Sequence, residues 1–371
     1  MSSSPGAGRR VALVAAALAA VMTPLGCSPG ATGPAAPALL ITPGAGPTLY
    51  VSTQGDDHNP GSRAAPLRTI SKAATLARPG TTVVVTPGRY VGSVSSSVSG
   101  TRGARIAFTA QPPWSAQVVG EGTEAAWRNE GDFVDIANFD LSGNTVRGML
   151  NEGSYVRIVA NRIHDFARGD CISTYNSGYT LHDIDIIGNV VHGCGSTMLD
   201  HGIYAAYSHG LIADNTSYGN AGYGIHCWHN CGQLVISNNV AFGNGGGIVV
   251  GQGDSPHFGR VPADHVTVSN NIVVDNRVVG IAEAGATGPA NRYLDNLLYR
   301  NGDDRLELRT GTESGTVTAD PEFVDDDSGN YRLRDSSPGV DAGTNLGAPP
   351  YAIDGAPRPS GRGYDIGAYE R

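Results

Sequence analysis

Lysine is all but missing from this chain. Lys72 is the only one among 25 basic residues, and the rest are arginine. That removes lysine as a catalytic base everywhere except around position 72. Charge is sparse as well: charged residues make up 16% of the 371 and the formal net charge is -9, with no basic stripe. A nucleic-acid-binding surface is therefore not expected. Long apolar runs are absent apart from residues 11–22, and that run is too short to cross a bilayer as a stable helix. Cysteine is limited to five positions. Glycine (52 residues) and asparagine are plentiful, which suits a fold built from many tight turns.

Residues 1–27 read as a targeting segment. Arg9 and Arg10 form a positive start, VALVAAALAAVM follows at 11–22, and Pro24-Leu25-Gly26-Cys27 closes it. The Gly-Cys pair resembles the lipobox of bacterial lipoproteins, with Pro24 where leucine is usual. Lipidation of Cys27 is the expectation, with simple secretion as the competing reading; Arg9-Arg10 also fits a twin-arginine route, in a weak surrounding motif. Residues 28–46 are rich in Pro, Ala and Gly and read as a disordered tether. The protein is thus expected to be exported, to the cell surface or periplasm, and to meet a membrane only through a lipid anchor. Four cysteines remain: Cys171, Cys194, Cys227 and Cys231. An even number in an exported chain permits two disulfides in three pairings, and the short Cys227–Cys231 spacing allows a local bridge. Zinc is the weaker reading, because no second closely spaced pair is present.

Internal repetition dominates the rest. The copies read VRIVANRIHD, IDIIGNVVHG, LIADNTSYGN, LVISNNVAFGN, VTVSNNIVVDN and RYLDNLLYRN. Their shared asparagines are Asn161, Asn189, Asn215, Asn239, Asn271 and Asn296, spaced 28, 26, 24, 32 and 25 residues apart. Phe139 takes the same slot 22 residues before Asn161. The longer spacings hold insertions, one of them at 251–265. A period in the twenties with two-residue alternation inside each copy fits one coil of a β-solenoid. Neighbouring coils must stack to bury an inner face that none can bury alone. Stacked asparagines would lie one strand spacing apart, roughly 4.8 Å, and could bond one another up a column. A helical array is excluded, since no copy carries a long 3.6-residue pattern. Residues 69–77 place Ile70, Ala73, Ala74 and Ala77 on one helical face and are expected to cap the N-terminal end.

The segment LYVSTQGDDHNPGSRAAPLRTISKAATLARPGTTVVVTPGRY, at 49–90, resembles the opening of right-handed parallel β-helix proteins of the pectate-lyase-like superfamily. The C-terminal run is similar to the end of many exported β-helix proteins: Asp320-Pro321-Glu322-Phe323, Ser337-Pro338-Gly339-Val340-Asp341-Ala342-Gly343, Asp354-Gly355, Arg358-Pro359 and DIGAYE at 365–370. The expected organisation is all-β: a parallel β-helix over 47–319 and a capping segment over 320–371. The resemblance implies a fold shared by pectate and alginate lyases, hydrolases, uronate epimerases and proteins without known activity. It sets an expectation of an acidic polysaccharide as partner and leaves the chemistry open.

The second strands of the coils read GDCISTY, DHGIYAAY, GYGIHCWH, GGGIVVG and VVGIAEA. With Ile172, Ile203, Ile225, Ile248 and Ile281 facing inward, the next residues, Ser173, Tyr204, His226, Val249 and Ala282, face outward. Tyr204 and His226 then share a face on adjacent coils, with Tyr175 and Trp228 two residues further on. Arg168, Asp170, His201 and Tyr223 fall at the strand entrances. Abstraction of the proton beside a uronate carboxyl group needs a base, an acid and a cation. His226 suits the base, Tyr204 the second proton-transfer group, Arg168 the cation, and Tyr175, Tyr223 and Trp228 sugar-ring contacts, with His201 and Asp170 as further catalytic candidates. An ordinary surface scatter of His and Tyr, with His201 bonded to a turn, competes with this reading.

Calcium-dependent relatives in the superfamily gather carboxylates on one face. Here Asp183 and Asp185 share one strand face with Arg157 below, so a calcium site there is admitted and no cofactor is required. Uronate epimerases of this fold often carry Asp-Pro-His; this chain has Asp200-His201 without the proline. An inverting hydrolase would need two carboxylates about 6.5–9.5 Å apart, for which Asp170 and Asp200 are the nearest candidates. Asp56, Asp57 and Asn59 read as turn formers. The leading expectation is a monomeric, exported lyase or epimerase acting on an anionic polysaccharide. The alternative is a non-catalytic surface lipoprotein that binds glycan or a protein partner through the β-helix face.

Overall fold

The computed structural model describes residues 41, 44–122, 124–253 and 261–371. The targeting segment, Cys27 and most of the tether lie outside the described residues, as does much of the 251–265 insertion.

The chain winds as a right-handed parallel β-solenoid. Its strands fall into three parallel sheets of eleven, eight and ten members, and each strand pairs with its counterparts one coil before and one coil after. The strands are short because a turn interrupts every run. In the turn between the first and third sheets, a residue in the left-handed region precedes each shared asparagine: Ala160, Gly188, Asp214, Asn238, Asn270 and Asp295. Gly, Asn and Asp tolerate that conformation best, which explains their recurrence one residue before the column.

The asparagine column is buried throughout and bonded in one direction. Asn161 Nδ2 donates to Asn189 Oδ1 (3.1 Å), Asn189 to Asn215 (3.0 Å), Asn215 to Asn239 (3.0 Å), Asn239 to Asn271 (2.9 Å) and Asn271 to Asn296 (2.9 Å). Each Oδ1 also accepts the backbone N–H of the asparagine below, and Asn161 accepts that of Phe139 at 3.0 Å. A second column runs five residues later. Asn220 donates to Asn244 (2.9 Å), Asn244 to Asn276 (3.1 Å) and Asn276 to Asn301 (2.8 Å), and Asp304 accepts from Asn301 at 2.8 Å. Below it, Cys194 N–H donates to Asn220 Oδ1 at 3.1 Å.

The core is a stack of aliphatic rungs. In the eight-stranded sheet Met149, Ile172, Ile203, Ile225, Ile248 and Ile281 are register partners and fully buried. Each such side chain contributes roughly 1.5–3 kcal/mol by burial. The helix Ile70–Leu76 closes the N-terminal end with Ile70, Ala73 and Ala74 buried, and Thr69 Oγ1 caps it by accepting from Lys72 N–H. Asp57 accepts the N–H groups of Arg68 and Thr69 at 2.9 Å each, and Asp56 accepts that of His58, so these acids form turns. Beyond the last parallel strands the chain makes the antiparallel pair Phe323–Asp325 and Asn330–Leu333 and returns along the solenoid. Arg358, fully buried, pairs there with Asp214 at 2.8 Å and with Glu370 at 3.4 Å. Asn238 and Asn270 donate to the carbonyls of Gly367 (3.0 Å) and Thr344 (2.7 Å).

The cysteines pair as Cys171–Cys194 and Cys227–Cys231, with Cα separations of 5.6 and 5.7 Å. The first bridge ties a strand entrance to the slot below Asn220.

Candidate functional site

The isoleucine register places Leu150, Ser173, Tyr204, His226, Val249 and Ala282 in one outward column of the eight-stranded sheet. Tyr204 and His226 are therefore register partners on adjacent coils, with rings 5.5 Å apart. Two residues before the buried rung, the same register aligns Arg147, Asp170, His201 and Tyr223. Two residues after Tyr204 and His226, it aligns Ala206 and Trp228, and Tyr175 holds that place one coil lower. The expected residues thus gather into one patch, except Arg168. That side chain is exposed in the turn before Asp170 and outside the column.

Arg147 takes the place expected for Arg168. Its guanidinium lies over the Tyr175 ring, 5.6 Å from the centroid, and its Nε is buried with no hydrogen-bond partner among the described residues. The charge of Arg147 also acts on Asp170. The sequence reading missed Arg147 because its coil carries Met149 rather than isoleucine in the buried rung, and Leu150 where the neighbouring coils carry polar residues.

His201, only 3% exposed, is the hub of the patch. Its Nδ1 accepts the backbone N–H of Tyr223 at 3.1 Å. Its Nε2 stands 2.5 Å from Nδ1 of His226. Its ring lies 5.9 Å from each of Tyr204 and Tyr223. Burial pulls the His201 imidazole down to about 4 and, with the charge of His201 adding to it, that of His226 down to about 2. Both rings are therefore neutral at ordinary pH. Burial also pushes the Tyr204 phenol well above its usual range. Asp170 accepts from Ser173 Oγ at 2.6 Å and from the backbone N–H of His201 at 2.7 Å. Burial outweighs these donors and raises its carboxyl to about 6.

Aromatic rings rim this centre. Tyr175 is 6.0 Å from Tyr204, and Trp228 is 5.2 Å from His226. Tyr179, which no sequence pattern marked, packs on His229 at 4.3 Å and bonds Tyr204. Trp228 packs against Gly251 of the next coil, where an added Cβ would collide with the Ala284 carbonyl and with the Trp228 ring. Those two close approaches require glycine there.

Asp200 accepts from Ser196 N–H, Thr197 N–H and Thr197 Oγ1 at 2.8–3.0 Å and staples its own loop, and its charge acts on Asp170. Asp183 and Asp185 line a separate cavity of about 190 Å³ with Arg105, Tyr155, Arg157 and Gly210. Asp185 is a register partner of Arg157, which binds Asp135, and Asp183 bonds His182 at 2.8 Å. Among the described residues no three His, Cys, Asp or Glu side chains are grouped to hold a metal ion. The carboxylates there face guanidinium groups instead.

A family model described as right handed beta helix region matches residues 124–261, and one described as a protein of unknown function, DUF1565, matches residues 53–97. The uncharacterized protein YwoF of Bacillus subtilis (strain 168) is 27% identical over 272 residues, 70% of this chain and 47% of that protein. Mannuronan C5-epimerase AlgE3 of Azotobacter vinelandii is 29% identical over 182 residues, 45% of this chain and 9% of that protein. The chain thus spans about half the length of the first relative and a small part of the second. Among solved structures, pectate lyase Pel9A superposes with a TM-score of 0.67 at 16% identity, covering 88% of this chain and 96% of the other. The coil register, the matched β-helix region and this superposition together make the chain a right-handed parallel β-helix, the fold it shares with that pectate lyase.

Proposed function

We propose that the protein binds an acidic polysaccharide along the outer face of the eight-stranded sheet and acts on it as a lyase or epimerase. The observation that carries this reading is Arg147: a guanidinium with a buried, unpartnered Nε, set over Tyr175 at the head of the column of Asp170, His201 and Tyr223, beside that of Tyr204 and His226. An unpaired guanidinium suits a carboxylate held in bidentate fashion. The tyrosine and tryptophan rings offer sugar-ring contacts beside it. Removal of the proton beside a uronate carboxyl group then falls to the Tyr204–Asp170 side of the patch. Tyr204 is half-buried on the outer face, and Asp170, titrating at about 6, has the basicity near neutral pH that proton abstraction asks for. The similarity to a named mannuronan C5-epimerase over 182 residues fits the same chemistry.

The test is incubation with a panel of uronic-acid polymers, followed by ultraviolet absorbance of unsaturated ends and by NMR of the C5 configuration. New absorbance marks a lyase, and inverted C5 marks an epimerase. Loss of either signal in Tyr204→Phe and Arg147→Met supports the assignment. Intact protein that binds an acidic polymer and changes none of them refutes catalysis. A specific observation favours that second reading: both oxygens of Asp170 are already taken, by Ser173 Oγ and by the backbone N–H of His201. Export and lipid anchoring at Cys27 belong to the proposal too, tested by metabolic labelling with a fatty acid in wild type and Cys27→Ala.

A further inference from the structure

The hydrogen bonds of the histidine pair decide which nitrogen carries each proton. His201 Nδ1 accepts the Tyr223 backbone N–H at 3.1 Å, so in the neutral ring the proton of His201 sits on Nε2. That Nε2–H can only donate to the atom it faces at 2.5 Å, Nδ1 of His226. His226 Nδ1 is therefore an acceptor, and its own proton sits on Nε2. This Nε2 has no hydrogen-bond partner among the described residues and is not sealed from solvent, so it opens on the outer face of the sheet. A lone pair at Nε2 would require the opposite tautomer in both rings, and the Tyr223 N–H would then face an N–H.

We propose that His201 is a positioning residue that locks His226 as an N–H donor toward the outer face, making the pair an oxyanion-stabilising group rather than a carrier of protons. This overturns the expectation that His226 is the base, and it rests on the uronate reading for its role in turnover. When the C5–H bond breaks, its electron pair moves onto the carboxylate as an enolate and the proton passes to the Tyr204–Asp170 side. His226 Nε2–H strengthens its bond to the developing oxygen charge and keeps its proton. The electron pair then returns, either expelling the C4 oxygen, which takes the Tyr204 hydroxyl proton while Asp170 passes the abstracted proton on to Tyr204, or accepting a proton from solvent on the other face, after which Asp170 returns its proton to solvent. Were His226 to give up its Nε2 proton it would become an imidazolate, because His201 receives no replacement from a backbone amide. A neutral imidazole used as an electrophile in this way has precedent in other enzymes.

The groups around the pair fit. Asp200 acts on the His201 ring and is held by its own loop donors, and Asp170 accepts the His201 backbone N–H. Around His226 stand His229, Tyr204, Tyr223 and Trp228.

The test is long-range 1H–15N NMR of the imidazoles in the ¹⁵N-labelled full chain, without substrate. Wild-type His226 is expected as a single Nε2–H tautomer that does not titrate between about pH 5 and 8, against an ordinary value of about 6.5. His201→Gln keeps an N–H donor and should preserve that signature. His201→Phe should release it, giving mixed tautomers and a titration near 6.5. A wild-type Nδ1–H tautomer, or a His226 titration near 6.5, overturns the proposal, as does an unchanged tautomer in folded His201→Phe. If His201→Phe does not fold, the wild-type and His201→Gln spectra decide. In turnover, His226→Gln should stay within roughly tenfold of wild type while His226→Ala loses about 10²–10³-fold; equal losses overturn the oxyanion role. Absence of any turnover refutes the lyase or epimerase reading, and with it the oxyanion role, and leaves the tautomer result standing.

Discussion

Asn239→Ala should open one coil and leave its distant neighbours closed. The Asn239 Oδ1 accepts both the backbone N–H and the Nδ2 of Asn215, each at 3.0 Å. Its Nδ2 donates to Ile212 O at 2.8 Å, Ser237 O at 3.1 Å and Asn271 Oδ1 at 2.9 Å. Asn215 keeps a partner for its amide in Ile186 O at 2.8 Å, but its backbone N–H has no other acceptor. Truncation therefore leaves the Asn215 N–H unsatisfied in a fully buried position and deprives the Ile212 carbonyl of a donor. At roughly 1–3 kcal/mol for each orphaned group, the loss is about 3 kcal/mol. Because a coil touches only its neighbours, the cost stays local. Hydrogen exchange read by NMR should then speed up about a hundredfold at the Asn215 amide, with amides of the Thr48–Val51 strand unchanged. Asn239→Asp discriminates shape from donor chemistry: it fits the space, but turns an acceptor toward Ile212 O, and should be worse than alanine. Acceleration of less than about threefold in Asn239→Ala, or an aspartate variant as stable as wild type, would refute the reasoning.

Arg147→Met should weaken binding of acidic polymers by tenfold or more while leaving neutral ones unaffected, read by calorimetry at low salt. Asp170 is an acid whose folded value lies above its unfolded one, so its contribution is present below about pH 4 and lost as pH rises toward 6. Asp170→Asn should therefore flatten the fall in stability between pH 4 and 7 by roughly 3 kcal/mol, measured by urea midpoints. Gly251→Ala should destabilise its coil, because the added Cβ meets the Ala284 carbonyl of the next coil as well as the Trp228 ring, and the loss is read as a lowered urea midpoint together with a changed Trp228 fluorescence. Ile225→Ala, in the middle of the rung stack, should cost about 2–5 kcal/mol.

The solenoid was legible because its signal is repeated. Six asparagines at one offset gave the register, and that register carried the isoleucine rungs and the adjacency of Tyr204 and His226 with it. The N-terminal helix was legible from a single apolar face closed by Thr69. The second column, Asn220 to Asn301, lay in plain view five residues after the first. Its signal is shorter, because the same slot holds Phe166 and Cys194 in the two coils below Asn220. The His201–His226 contact was not legible. It joins residues in different slots of adjacent coils, and only side-chain rotamers bring them to 2.5 Å. Arg168 was preferred over Arg147 because position along the chain, rather than alignment across coils, chose it.

The one-way bonding of the asparagine columns has a consequence for how such a chain can change its length. Each rung bonds only the coil after it and the coil before it, and always with the same atoms. A tandem duplication of the 239–270 stretch would therefore arrive with its own asparagine and splice into the column without disturbing the rest. The same event between Tyr204 and His226 would push the two rings a full strand spacing further apart and sever His201 from its partner. Growth by duplication is thus open toward the C-terminal coils and closed within residues 170–228, so lineages of this fold should differ in coil number above the patch and hold it constant across the patch.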